Sequence, residues 1–163
     1  MKKKLLPLIP SCLSIIPLFL FLCSCIPTID VFERDIIIPN QQWQSSFRPQ
    51  IDFTVEDTSS LYNIYLVLRH ADAYNYNNIW VKASVQQPGE TSSKSQQYNV
   101  TLAVNDKGWL GNGVDDIFEQ RILIQPQTKF VKSGDYHFTL EQIMREDPLL
   151  HVLSAGLRIE KIR

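Results

Sequence analysis

Apolar and polar residues alternate one by one along most of this chain, and that period of two constrains its fold more than any other feature. Tyr98, Val100, Leu102 and Val104 alternate with Gln97, Asn99, Thr101 and Ala103. Ile79, Val81, Ala83 and Val85 alternate with Trp80, Lys82 and Ser84. The same beat runs through Ile51–Glu56, Tyr136–Glu141 and Leu157–Glu160. Side chains of a strand point to opposite faces in turn, so each run reads as a strand with one buried face. Leu61–Leu68 and parts of Ile117–Ile124 are apolar on both beats and suit central strands. Turn residues separate the runs at Asp57–Ser60, Asp72–Asn78, Gln87–Glu90, Asn105–Gly108, Pro126–Thr128 and Ser133–Asp135. The polar patch Thr91–Gln97 reads as a hairpin loop.

These signals predict an all-β fold: an antiparallel β-sandwich, jelly-roll or immunoglobulin-like, of about eight strands. No stretch between strands is long enough for parallel strand–helix–strand units. One short helix is expected after Asp147-Pro148, which supply an N-cap and a first-turn proline, with Gly156 past its end.

The front of the chain has a different character. Lys2, Lys3 and Lys4 precede an uncharged run from Leu5 to Leu22, and Leu22-Cys23-Ser24-Cys25 follows. A basic start, an apolar run, small residues and then cysteine form a lipoprotein signal. Cys25 is the candidate lipid-attachment residue, its thiol taking a diacylglyceryl group and its freed amine a further chain such as palmitate. An uncleaved transmembrane anchor is the alternative, because the run is just long enough to span. Pro7, Pro10 and Pro17 count against it, since each removes a backbone donor that lipid cannot replace. One acyl chain binds a bilayer marginally and two or three hold it durably. Ile26, not Asp, follows Cys25, which favours the outer membrane over retention at the inner one.

The expected division is residues 1–24 as signal peptide, 25–30 as lipidated tether and 31–163 as the β-sandwich domain. Without residues 1–24, 139 of the 163 residues remain, with 13 basic and 17 acidic side chains and a net charge of −4. A nucleic-acid binder built on a basic surface is thereby excluded. The cysteines at 12, 23 and 25 are the only ones, so neither a disulfide framework nor a cysteine-ligated zinc site is expected.

Few residues suggest chemistry. His70, His137 and His151 lack metal-ligand spacing. Asp106, Asp115, Asp116 and Glu119 offer oxygens for calcium, but the spacing is not that of an EF-hand, and a solvated turn is the plainer reading. No nucleophile elbow is present. Gly108, Gly111 and Gly113 lie between strands, which argues against a phosphate loop and lets Trp109 and Leu110 fold onto the core. Tyr74, Tyr76, Trp80 and Trp109 sit in or beside loops and are the candidate partner or ligand surface. Trp80 falls on the polar beat of its strand, where an aromatic stacks on a sugar or anchors a protein. Burial under a second sheet or a loop is the plainer alternative for all four.

Several segments in register carry a family pattern: Tyr62-Asn63-Ile64-Tyr65-Leu66-Val67-Leu68-Arg69-His70, Tyr74-Asn75-Tyr76-Asn77-Asn78-Ile79-Trp80-Val81, Gly108-Trp109-Leu110-Gly111-Asn112-Gly113, Gly134-Asp135-Tyr136-His137-Phe138, Gln142-Ile143-Met144-Arg145 and Val152-Leu153-Ser154-Ala155-Gly156-Leu157-Arg158-Ile159-Glu160-Lys161. From about residue 30 onward the chain resembles the GldH gliding-motility lipoproteins of Bacteroidetes. His70 stands where Asn is commoner in that family, and Asn75 where Pro is. The resemblance implies an envelope lipoprotein linked to gliding and type IX secretion, with no enzyme activity and no cofactor. Only Cys25 carries over as a functional residue.

The expectation is therefore a structural or accessory envelope component. Its partners would be the membrane, through lipid, and envelope proteins, but not nucleic acid. A glycan-binding surface lipoprotein using exposed aromatics is the alternative.

Overall fold

The computed structural model of the protein describes residues 30–162. The predicted signal peptide and Cys25 lie outside the described residues. Thirteen strands occur among them: β1 (Val31–Ile37), β2 (Gln42–Trp43), β3 (Gln50–Val55), β4 (Tyr62–Ala71), β5 (Asn78–Gln86), β6 (Ser93–Thr101), β7 (Ala103–Val104), β8 (Gly108–Trp109), β9 (Asn112–Val114), β10 (Ile117–Thr128), β11 (Gly134–Gln142), β12 (Leu149–Leu150) and β13 (Val152–Lys161). They build an antiparallel sandwich. The first sheet has the order β1-β13-β4-β10-β9 and the second β3-β11-β5-β6.

The pairing is nested. Among the eight strands of six or more residues, first pairs with last, β1 with β13. Inside them β3 pairs with β11, β4 with β10 and β5 with β6. A chain that folds back on itself and then wraps as two sheets is a jelly roll, and this order separates it from the immunoglobulin-like alternative. The short β2 pairs with β12 and continues the nesting through the connections.

Alternation explains which residues meet between the sheets. β3 is buried at Ile51, Phe53 and Val55, and β11 at Tyr136, Phe138 and Leu140. β4 contributes Ile64, Leu66 and Leu68 to the same core, β13 Leu157 and Ile159. Burying each such side chain contributes roughly 1.5–3 kcal/mol relative to leaving it exposed. At the end where the described chain begins, Phe53 and Tyr136 stack at 5.5 Å and Phe130 meets Tyr136 edge-on at 5.0 Å. The Tyr136 hydroxyl donates to the Lys132 carbonyl at 2.9 Å, so this ring buries no free polar group.

Pro126 lies inside β10, where it supplies no ladder donor. The pairing with β4 shifts register once before it and once across it, and Gln127, at φ 49°, donates its N–H to the Asn63 side chain. The bulge accommodates the proline in a strand that is otherwise continuous.

The helix expected after Asp147-Pro148 does not form. The Asp147-Pro148 bond is cis and Leu149–Leu150 is a strand. Leu149 pairs with Trp43, both fully buried, and Asp147 accepts from Ser45 N and Ser45 Oγ at 2.9 and 2.5 Å instead of capping a helix. Gly156 lies within β13 rather than past a helix end. Long-range pairing outweighs the local cap signal here, because the segment buries apolar residues against β2. The one helical turn among the described residues is a 3-10 turn at Pro39–Gln41. Ser93–Gln97, expected as loop, opens β6.

Candidate functional site

The two sheets present outer faces of different chemistry. On the first, register brings together charges that are far apart in sequence. Glu33 of β1 faces Arg158 of β13, and Arg69 of β4 faces Glu119 of β10. Glu33 accepts two hydrogen bonds from Arg121, at 2.8 and 3.1 Å, and one from Arg158 at 2.5 Å. Arg158 also donates to Glu160 at 2.6 Å, Arg121 pairs with Glu119 at 2.8 Å, and Arg69 donates to Glu119 at 2.5 Å. The Arg121 hydrogen bond leads in holding the Glu33 carboxyl below its usual range, and the Glu33 hydrogen bond leads in raising both Arg121 and Arg158. A single exposed pair of this kind contributes about 0–1 kcal/mol, but a network fixes several long side chains at once. Val67, on the same face between Gly156 and Arg121, is fully buried beneath these side chains.

Asp35 is the exception in the network. Arg69 lies 3.8 Å from its Oδ2, while its Oδ1 is buried with no hydrogen-bond partner. Burial therefore pushes its carboxyl up.

Exposed apolar residues surround the charges. Ile37 is 78% exposed and Val114 72%, and Ile117 and Leu123 are also open. Ile37, Val114 and Ile117 line a groove of about 700 Å³ shared with Arg69, Glu119, Asp115 and Ser154. Ile37 ends β1, so the seven residues of that strand set the groove about 20 Å from where the described chain begins. β9 is an edge strand of three exposed residues.

The outer face of the second sheet is polar, with one indole in it. Trp80 is 40% exposed, and Tyr76 lies beside it at 36%. They line a groove of about 450 Å³ with Asn78, Gln97, Ile143, Met144 and Arg145. The buried amide of Gln142 shapes one wall: it donates to the carbonyls of Trp43 and Glu146 at 3.2 and 3.3 Å and accepts from Met144 N at 2.8 Å. Ile143 N donates to the Trp80 carbonyl at 3.0 Å, and Trp80 N donates to Met144 Sδ at 3.2 Å. The Tyr76 hydroxyl donates to Glu146 at 2.7 Å.

The four aromatic candidates thus divide. Tyr76 and Trp80 share the groove. Tyr74 is 4% exposed and Trp109 is half-buried, its indole N–H donating to Asp72 at 2.7 Å. Both pack around His70, whose ring lies 4.5 Å edge-on from Trp109 and 5.7 Å from Phe118. Gly111, at φ +91°, and Gly113 allow this packing, because a Cβ on either would meet β10. Burial lowers the His70 pKa; one ring nitrogen contacts the Ala71 carbonyl at 2.9 Å and Nε2 has no partner. Asp115 sits in the β9–β10 turn at φ 55°, and the Asp116 carbonyl accepts from Asp72 N. Among the described residues no group of three or more ligands stands ready for a metal, and no helix is long and apolar enough to cross a membrane. His137 meets Asp52 at 2.6 Å on the second sheet's outer face.

Gln142, Arg69, Arg158 and Glu160 fall within the segments that carry the family pattern, but neither composition nor periodicity marks the network or the wall that Gln142 shapes. Members of the network fall on polar beats of strands whose pairing alone unites them.

Fold and faces together define a jelly-roll module whose two outer surfaces differ, one ionic with an apolar rim, the other polar with an aromatic groove. The sequence profile described as GldH lipoprotein matches residues 30–159, and the chain belongs to that family. A curated relative, the gliding motility lipoprotein GldH homolog of Christiangramia forsetii, is 25% identical over 128 residues, covering 74% of this chain and 78% of its own. The gliding motility lipoprotein GldH of Flavobacterium johnsoniae is 28% identical over 127 residues, covering 73% and 77%. Among solved structures, the infectious bursal disease virus VP2 subviral particle overlaps 82% of this chain and 33% of its own at 11% identity, with a TM-score of 0.37, too low to bear on the fold.

Proposed function

We propose that this protein is a lipid-anchored envelope component of the gliding and type IX secretion machinery, and that it works by position rather than by catalysis. Acylation at Cys25 holds the domain at a membrane, with the outer membrane favoured by Ile26. The outer face of the first sheet then docks an envelope protein. One observation carries the docking surface: Ile37, Val114 and Ile117 stand exposed around a groove next to a fixed ionic network. Apolar anchors beside preordered charges suit a protein interface, because the anchors supply affinity and the charges set register. Family membership and the names of the relatives support the gliding role.

Complementation of a deletion strain tests this reading. Wild-type protein restores colony spreading, Cys25→Ala loses palmitate labelling and envelope retention, and Val114→Asp with Ile117→Asp is retained but fails to restore spreading. Full restoration by the double variant contradicts the docking face.

A further inference from the structure

We propose that the groove beside Trp80 binds an acidic saccharide chain. Trp80 is exposed on a strand face that otherwise carries hydrogen-bonding side chains: Asn78, Ser84, Gln97, Asn99 and Thr139 lie on the same outer surface. An exposed indole with Tyr76 beside it and the amides of Asn78 and Gln97 at its edge suits a ligand whose ring face is apolar and whose edges are polar. A pyranose ring meets that description: its C–H face stacks on the indole while its hydroxyls bond to Asn78 and Gln97. The first sheet's outer face, with several exposed aliphatic residues, has the composition that the second lacks.

Charge selects an acidic sugar. Arg145 lines the groove, is exposed, and has no carboxylate partner among the described residues. Around it Lys82 and Arg48 share Glu141, and Glu146 accepts from Tyr76. Asp147, two residues on, is held by Ser45, so Arg145 is the cation of this group left without a carboxylate partner among the described residues. The planar guanidinium of Arg145 matches the two oxygens of a uronate carboxylate. The groove is preformed, because Gln142 fixes the Ile143–Arg145 turn and that turn is bonded to the Trp80 backbone. Preorganisation of this kind lowers the ordering cost of binding.

The three tryptophans make the site directly observable. Trp43 is buried with its indole N–H on the Phe47 carbonyl, Trp109 is bonded to Asp72, and Trp80 is open. The full chain is labelled with 5-fluorotryptophan, held in detergent and titrated with a hexagalacturonate and with a neutral hexaglucan, each signal being assigned with a Trp→Phe variant. The expected result is a shift of the Trp80 signal alone with hexagalacturonate, weakened at least tenfold in apparent affinity by Arg145→Gln. Unchanged Trp43 and Trp109 signals in that variant confirm the fold. No Trp80 shift with hexagalacturonate, or equal shifts with the neutral glucan, overturns the proposal.

Discussion

Gly156 of β13 lies directly across from Asp35 of β1, so close that a Cβ on the glycine would strike the Asp35 carboxylate and come within 2.6 Å of the Arg34 carbonyl. The missing side chain lets the first and last strands of the jelly roll meet around a buried carboxylate. Gly156→Ala is expected to destabilise the domain by about 1–3 kcal/mol, the usual cost of overpacking. Urea unfolding followed by circular dichroism measures it. A Gly156→Ala, Asp35→Ala double variant should recover part of the loss; recovery of none would place the clash in the Arg34 backbone alone.

Asp35 itself gives a pH prediction. Burial raises its folded-state pKa, and a raised carboxyl favours folding below its unfolded pKa and loses that contribution as pH rises through the folded value. Its carboxylate therefore costs stability at pH 7. Asp35→Asn should be the more stable protein at pH 7, with the difference shrinking toward pH 4. Thermal melts across that range check the direction, and a destabilised Asn variant at pH 7 would show that the Arg69 contact outweighs burial.

His70 titrates in the opposite sense. Its folded-state pKa is lowered by burial among Tyr74, Trp109 and Phe118, so the unfolded chain binds the proton more readily. The neutral ring's contribution is therefore intact above about pH 6.5 and is lost as pH falls below it; each tenfold difference in proton affinity between the two states is worth about 1.4 kcal/mol. Denaturant midpoints should fall between pH 7 and pH 5 in the wild type and fall less in His70→Leu. Equal slopes would assign the acid sensitivity elsewhere.

Trp43 and Leu149 test the segment whose local signal is helical. Both are fully buried and paired. Leu149→Ala should cost about 2–5 kcal/mol, the range for a truncated core leucine. A cost under about 1 kcal/mol, measured by urea unfolding, would mean that Leu149 is not packed in the core.

Much of the sandwich was legible because its strands have one wet and one dry face. Ile51, Phe53 and Val55 announce β3, and Tyr136, Phe138 and Leu140 announce β11. Legibility ends where that contrast vanishes. Ser93–Gln97 begins β6 but is exposed at every position, so no apolar beat marks it as a strand. Asp147-Pro148 carries a sound local helix signal that loses to pairing with β2, a contact made across about a hundred residues. The site was half legible. Trp80 on a polar beat and Tyr76 in a loop could be singled out from sequence, whereas Tyr74 and Trp109 share their composition cues and turn inward around His70. Glu33, Arg69, Arg121 and Arg158 are ordinary surface charges until the register of four strands sets them side by side.

Site-specific photocrosslinking in living cells tests the central claim most directly. A photoreactive residue at Val114, on the first sheet's rim, is compared with one at Ser84, on the outer face of the second. The account predicts a discrete crosslinked adduct from Val114 that contains a gliding or secretion component, and none of that adduct from Ser84. Absence of any protein adduct from Val114, or the same adduct from both positions, would contradict a docking role for that face.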